Sequence, residues 1–391
     1  MQISAIIAHL ESLAPPALQE SYDNCGLLAG SADWECTGIL TTLDTTEEVV
    51  NEAAVRGCNL IVAHHPIIFG GLKKISDKNY VGKAVITAIK KDIALYAIHT
   101  NLDNIGIKGV NGRIAEQLGI LGGQPLWPAS ASAALPFALS ATATSPSPTA
   151  FAFSSPAALL KLYCFVPLTH LAAVRTAIFE AGAGHIGGYS ECSWSVEGTG
   201  TFKGGDSTQP FLGQPGIRHE EKEARLEAIL PVWLSRQVVH AMIAAHPYEE
   251  VAYDLVPLAN TYPGIGSGLL GELPEAMDEN DFLARIKSAF GLAVIRHTRL
   301  TGRPVKRVAI CGGAGSFLIS KALSVGANFY ITSDVKYHEF FDANDRMVIA
   351  DIGHFESEQF TIDLLFEVLR EKFSNFAILK SETRTNPVYY Y

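Results

Sequence analysis

What this chain has little of narrows its function before any motif is considered. Its 30 Lys and Arg are outnumbered by 40 Asp and Glu, giving a formal net charge of -10 at pH 7. A nucleic-acid track or an anionic membrane surface needs clustered cations, so neither is an expected partner. Long apolar runs are missing as well: Thr37 to Leu43, Leu60 to Ala63 and Val308 to Cys311 are short beside the ~20 residues that cross a bilayer. Met1 to Leu13 follows a helical pattern containing His9 and Glu11, without a basic start and cleavage site, so the cytoplasm is the expected location. The cysteines, Cys25, Cys36, Cys58, Cys164, Cys192 and Cys311, include no C-x-x-C pair. That argues against a thiolate zinc site and makes most of them small buried apolar groups.

What is present is a globular composition, 48% hydrophobic and 18% charged over 391 residues, enough for two or three domains at roughly 150 residues each. Residues 1–127 alternate helical and strand periods: helices at Ile3 to Leu13, Glu47 to Arg56, Val81 to Lys91 and Val110 to Leu118, strands at Thr37 to Leu43, Leu60 to Ala63 and Ala94 to Ile98. Residues 128–157 break the rhythm with an Ala, Ser and Pro-rich stretch read as a linker. Residues 158–260 follow the order βαββαβ expected of an inserted ferredoxin-like domain. The rhythm resumes in 261–391, with helices at Asp281 to Phe290, Phe317 to Ser324 and Glu356 to Lys372, and strands at Val305 to Ile310, Phe329 to Thr332 and Met347 to Ala350. The expected class is α/β: two similar halves with mostly parallel sheets forming one core, plus the insertion.

Three fragments carry metal chemistry. The apolar run Leu60 to Ala63 ends at His64 and His65, followed by Pro66, which stops strand pairing and lets two adjacent imidazoles leave the alternation of a strand. Ala94 to Ile98 ends at His99, with Asp103 four residues on. His354 and Glu358 stand four apart where a helix begins, hence on one face. Each residue alone is as well explained by a hydrogen-bonded loop histidine or a solvated carboxylate. Together His64, His65, Asp103, His354 and Glu358 suit two divalent first-row cations per chain, zinc ahead of manganese or iron. Such a pair acidifies bound water, the usual route to metal-assisted hydrolysis.

Other features have two readings each. Cys311 to Ser316, with Gly312, Gly313 and Gly315, could cradle a small anion on backbone N–H groups beside Ser316, or permit close strand-helix packing. Asp334 and His338, like His99, could move protons or orient metal ligands. His246 with Glu249 and Glu250 reads as a second ligand group or a helix cap, and Lys73, Lys74, Lys78 and Lys83 as an anion guide or a solvated surface.

The segments Ser21 to Leu27, Ala63 to Pro66, His99 to Asp103, Cys311 to Phe317, Ser333 to His338 and Gly353 to Glu358 resemble the Nif-three-like dinuclear-metal proteins, often labelled GTP cyclohydrolase type 2 homologs. The resemblance runs nearly the full length. It implies that His64, His65, Asp103, His354 and Glu358 are the metal ligands and that His99, Asp334 and His338 line the same cavity. It also implies a toroidal homohexamer and an inserted domain similar to PII and CutA proteins, with His246 to Val251 matching its characteristic stretch. Ser267 departs from the pattern, standing where many relatives carry arginine. The functional expectation is a metal-dependent hydrolase of a small anionic or nucleotide-like substrate. The alternative is a non-catalytic regulator that senses a metal or metabolite through the PII-like domain.

Overall fold

The computed structural model describes residues 1–128, 159–260, 262 and 264–391, so the expected linker lies almost wholly outside the described residues. The chain begins α1 (Ile3–Leu13), β1 (Gly26–Ala29), β2 (Ile39–Thr42), α2 (Glu47–Val55), β3 (Leu60–Ala63), α3 (Tyr80–Lys90), β4 (Ala94–Ala97), α4 (Thr100–Asp103), α5 (Val110–Gln117) and β5 (Leu121–Pro128). It continues β6 (Leu159–Pro167), α6 (Leu171–Glu180), β7 (Ser193–Lys203), β8 (Arg218–Pro231), α7 (Ser235–Ala245) and β9 (Tyr253–Pro257). It closes with β10 (Gly266–Met277), α8 (Glu279–Phe290), β11 (Arg296–His297), β12 (Val305–Ala314), α9 (Ile319–Ser324), β13 (Phe329–Ser333), β14 (Val348–Asp351), α10 (His354–Glu358), α11 (Thr361–Lys372) and β15 (Ile378–Lys380). None of the described helices is long and apolar enough to cross a membrane.

Two compact units result, one from Met1–Pro128 with Gly264–Tyr391, the other from the described residues between them, 159–260 and 262. In the first, a five-stranded sheet runs β1-β4-β3-β2-β15, parallel except for β1. Strands β2, β3 and β4 are buried along their whole length, which is why they read as unbroken apolar runs. A six-stranded sheet runs β11-β14-β13-β12-β10-β5. Only β12, β13 and β14 are parallel there, and β11, β10 and β5 pair antiparallel, so the expected mostly parallel sheet is a mixed one. β10 and β5 escaped the sequence pattern because Gly266, Gly268, Gly271, Gly122, Gly123 and Pro125 mask their strand character.

Each sheet takes a strand from the other half of the sequence: β15 joins the first sheet beside β2, and β5 joins the second beside β10. One core, including Ile3, Leu10, Tyr96, Phe282, Phe329 and Leu369, draws on both. The helix expected from Glu356 to Lys372 begins earlier, at His354, and breaks at Gln359 and Phe360. There the Gln359 side chain donates to the carbonyls of Glu356 and Phe290.

The second unit has its own core, including Leu162, Cys164, Val174, Ile178, Leu226 and Met242. Its sheet is fully antiparallel in the order β7-β8-β6-β9, with α6 and α7 as its helices.

Phe282 is fully buried and meets Phe329 edge-on, with ring centroids 4.9 Å apart. Phe282→Ala should cost about 3–5 kcal/mol of stability, read as a lower urea midpoint; an unchanged midpoint would argue against this core.

Candidate metal centre

Parallel strands gather functional side chains at their carboxyl ends. Asp44 lies just past β2, His64 and His65 past β3, and His99 past β4. From the second sheet, Asp334 follows β13 and His354 follows β14. These groups, with Asp103 on α4 and Glu358 on α10, line a cavity of about 1050 Å³, save His64, which is fully buried behind it.

Each imidazole is fixed through Nδ1. His64 Nδ1–H donates to the Ile98 carbonyl at 2.9 Å, His65 to Asp44 at 2.8 Å, His99 to Asp23 at 2.9 Å and His354 to Asp334 at 2.6 Å. The Nε2 lone pairs are thereby committed to the cluster, and this outer ring of acceptors is the usual support of metal-binding histidines. His65 Nε2 lies 2.9 Å from Glu358 Oε2 and 3.3 Å from His354 Nε2, which is itself 3.2 Å from that oxygen. On the other side His64 Nε2 is 3.5 Å from Asp103 Oδ1 and 3.8 Å from Glu358 Oε1. Both His64 Nε2 and Asp103 Oδ1 are buried without a hydrogen-bond partner.

Acceptors facing acceptors at these distances require positive charge between them. Among the described residues, three groupings have the spacing to hold a metal ion: His64, Asp103 and Glu358; His65, His354 and Glu358; and His64, His65 and His99. The residues present fit a cation in donor type as well as in distance. All five expected ligands are brought together.

Without a cation, protons take its place. Burial opposes charge on His65 and His354, but hydrogen bonds to Asp44 and Glu358 raise the first to about 10 and those to Asp334 and Glu358 raise the second to about 11. Burial would raise Glu358, yet the imidazoles of His354 and His65 hold it well below the usual carboxylate range. Asp103 is raised by burial.

The glycine segment, expected either to cradle an anion or to permit close packing, is closely packed at Gly312, Gly313 and Gly315. Cys311 to Ala314 complete β12, and the strand is followed by a single tight turn, Ser316–Leu318, ahead of the six-residue α9. The N–H of Gly312 is spent on Asn111 Oδ1 and that of Gly313 on Ser357 Oγ, so these two groups are not free for an anion. Gly313 has φ +64°, and a Cβ there would overlap Glu358 Oε1. The glycine clears room for the carboxylate. Gly315 is closed in by Thr332, Cys311 and Tyr330. Burial and the charges of Asp103 and Glu358 push the Cys311 thiol up, away from thiolate chemistry.

His338 does not line the cavity. It sits exposed in the turn Tyr337–Ala343, stacked against Phe341. Asp334 adopts left-handed backbone (φ 55°), and the turn that aims it is held by Asp351, which accepts from Val335 N–H and from Arg296. Ser267 lines the cavity and donates to Asn104. His246 is no ligand: Nε2 faces the Phe165 carbonyl and Nδ1 accepts from Tyr248 N–H. Lys73, Lys74, Lys78 and Lys83 are solvent-exposed. Sequence reasoning passed over Asp44 and Asp23. Asp44 carries the same strand-end signal as His64, whereas Asp23 lies in a loop whose pairing with His99 has no local signature.

The profile of the family described as Duf34/NIF3 (NGG1p interacting factor 3) matches residues 1–387. A Halalkalibacterium halodurans protein named GTP cyclohydrolase 1 type 2 homolog is 37% identical over 386 residues, spanning 98% of this chain and 97% of that protein. A Bacillus subtilis protein of the same name is 36% identical over 389 residues, 98% and 96% of the two chains. Among solved structures, a Bacillus cereus protein related to NIF3 superposes with a TM-score of 0.82 at 36% identity, covering 100% of this chain and 99% of that one.

Two outcomes follow from the geometry. Gly313→Ala should displace Glu358 and lower metal content, at a backbone cost of about 1–2 kcal/mol; metal analysis of the folded variant at wild-type levels would refute the clearance role. The raised imidazoles contribute stability to the metal-free protein that is complete below about pH 6.5 and lost as pH rises through about 10 and 11. A cation competes with those protons, so its apparent affinity should rise with pH and its uptake release protons. Calorimetry in buffers of different protonation enthalpy measures that release.

Proposed function

Because the chain belongs to the Duf34/NIF3 family, we propose that its cluster holds two divalent cations, with Glu358 a ligand available to both, and serves metal-dependent hydrolysis of a small anionic or nucleotide-like compound. The observation that carries this reading is the placement of Glu358, which is 2% exposed and turns one oxygen toward His64 and the other toward His65 and His354. His64, Asp103 and Glu358 would hold one cation, and His65, His354 and Glu358 the other, with zinc ahead of manganese or iron. Bound there, such a pair supplies Lewis acidity and acidifies a water molecule toward neutral pH.

The chain's own groups supply the rest. His99 donates Nδ1–H to Asp23, which turns its Nε2 lone pair into the site, and its ligand atom lies within 4.8 Å of those of His64 and His65. Asp334 and Asp44 orient His354 and His65 rather than exchange protons with substrate. Phe69 stands edge-on to His99 at 5.7 Å, and with Tyr22 and Phe317 gives the cavity apolar walls. Its volume suits a nucleotide-sized ligand. The nucleotide-like substrate is motivated by the name that relatives bear, GTP cyclohydrolase 1 type 2 homolog.

Self-association into a homohexameric ring and a cytoplasmic location belong to the same proposal. Exposed Tyr337, Phe341 and Phe317 support an oligomer by offering apolar surface for burial. The strand order of the second unit supports reading it as ferredoxin-like and PII-like. Its separate core favours the second reading, a non-catalytic regulator that senses a metal or metabolite. If a metal-loaded preparation turns over no member of a nucleotide and phosphoester panel but binds one of them unchanged, the sensor reading stands and the hydrolase falls.

Elemental analysis tests the centre itself. Wild type should carry about two metal ions per chain, with His65→Ala and Glu358→Ala losing at least one; retention of both by both variants would exclude these ligands.

A further inference from the structure

Part of the cavity wall is built from Thr385, Asn386, Pro387, Val388 and Tyr390, in a stretch with neither helix nor strand. Such a segment keeps one path only where its polar groups find fixed partners. Three carboxylates provide them. Glu52 accepts from Ser381 Oγ at 2.7 Å, from the Glu382 N–H at 2.9 Å and from Thr383 Oγ1 at 2.7 Å. Glu356 accepts from Asn386 Nδ2 at 3.0 Å, with both residues buried. Between these anchors, Asp44 Oδ2 accepts from Thr385 Oγ1 at 2.6 Å.

The middle contact differs in kind from the other two. Asp44 Oδ1 is the oxygen that accepts from His65 Nδ1 at 2.8 Å. A carboxylate held through one oxygen can turn about its Cβ–Cγ bond and trade the imidazole proton for water. Held through both, its plane is fixed, and so is the ring that it supports. We propose that Thr385 is a positioning residue of the metal centre: its hydroxyl locks Asp44, which keeps His65 Nε2 aimed at the Glu358 side of the site. The effect on affinity rests on the proposed two-cation reading, whereas the hydrogen-bond relay does not.

Valine has the shape of threonine without the donor, and serine keeps the donor. Zinc ion titrated calorimetrically into the metal-free full chain should bind Thr385→Val about tenfold more weakly in the step that uses His65. The step at His64 and Asp103 should be unchanged, and Thr385→Ser should bind like wild type. No weakening in either step, or equal weakening in both with a lowered melting temperature, would overturn the proposal. If wild type takes up a single ion, the two-cation reading fails. Thr385 is then judged on that one step: weakening by valine with rescue by serine supports it, and equal affinity overturns it. A metal-free measurement decides independently of uptake. The low-field imidazole N–H proton resonance that disappears in His65→Ala should be sharp in wild type and Thr385→Ser and lost to solvent exchange in Thr385→Val. A sharp resonance in the valine variant would overturn the relay.

Discussion

Everything around the centre answers to one constraint: Glu358, a carboxylate at 2% exposure, faces imidazole nitrogens that can answer its charge only by carrying a proton or sharing a cation with it. A buried charge of that kind is costly unless positive charge meets it, and the groups nearest its oxygens are the imidazoles of His64, His65 and His354. The imidazoles cannot turn to help as neutral donors, because Asp44, Asp334 and the Ile98 carbonyl have already claimed their Nδ1 protons. The cluster therefore takes up protons or cations.

The fold meets this demand by bringing two sheets' worth of strand ends together. β3 and β4 deliver His64, His65 and His99, while β13 and β14 deliver Asp334 and His354. The exchanged strands β5 and β15 tie the halves into one unit, and Asn111 and Ser357 stitch the ligand-bearing elements to β12 through the N–H groups of Gly312 and Gly313. Precision at the site comes from this shared core rather than from local loop stiffness.

Much of this was legible in the sequence because fully buried strands leave unbroken apolar runs, and Leu60 to Ala63 and Ala94 to Ala97 both end on ligand-type residues. β5 and β10 were not legible, since their glycines and prolines look like loop, and what makes them strands is pairing partners distant in sequence. The glycine segment at Cys311 has two readings for a related reason. A glycine that frees backbone N–H groups for a ligand and one that makes way for a neighbouring side chain are the same letter, and only Glu358's position tells them apart. His338 was drawn in by its motif, but the turn at Tyr337 points it outward. Asp44 and Thr385 went unassigned because their roles run through a second residue.

The contact between His65 and Glu358 spans 293 residues of chain. At a ribosome adding ~5–20 residues each second, the paired histidines wait roughly 15 to 60 s for their carboxylate. During that interval His64, His65 and Asp103 are present without Glu358. The residues that could hold a cation are therefore together only once α10 has been made, near the end of synthesis.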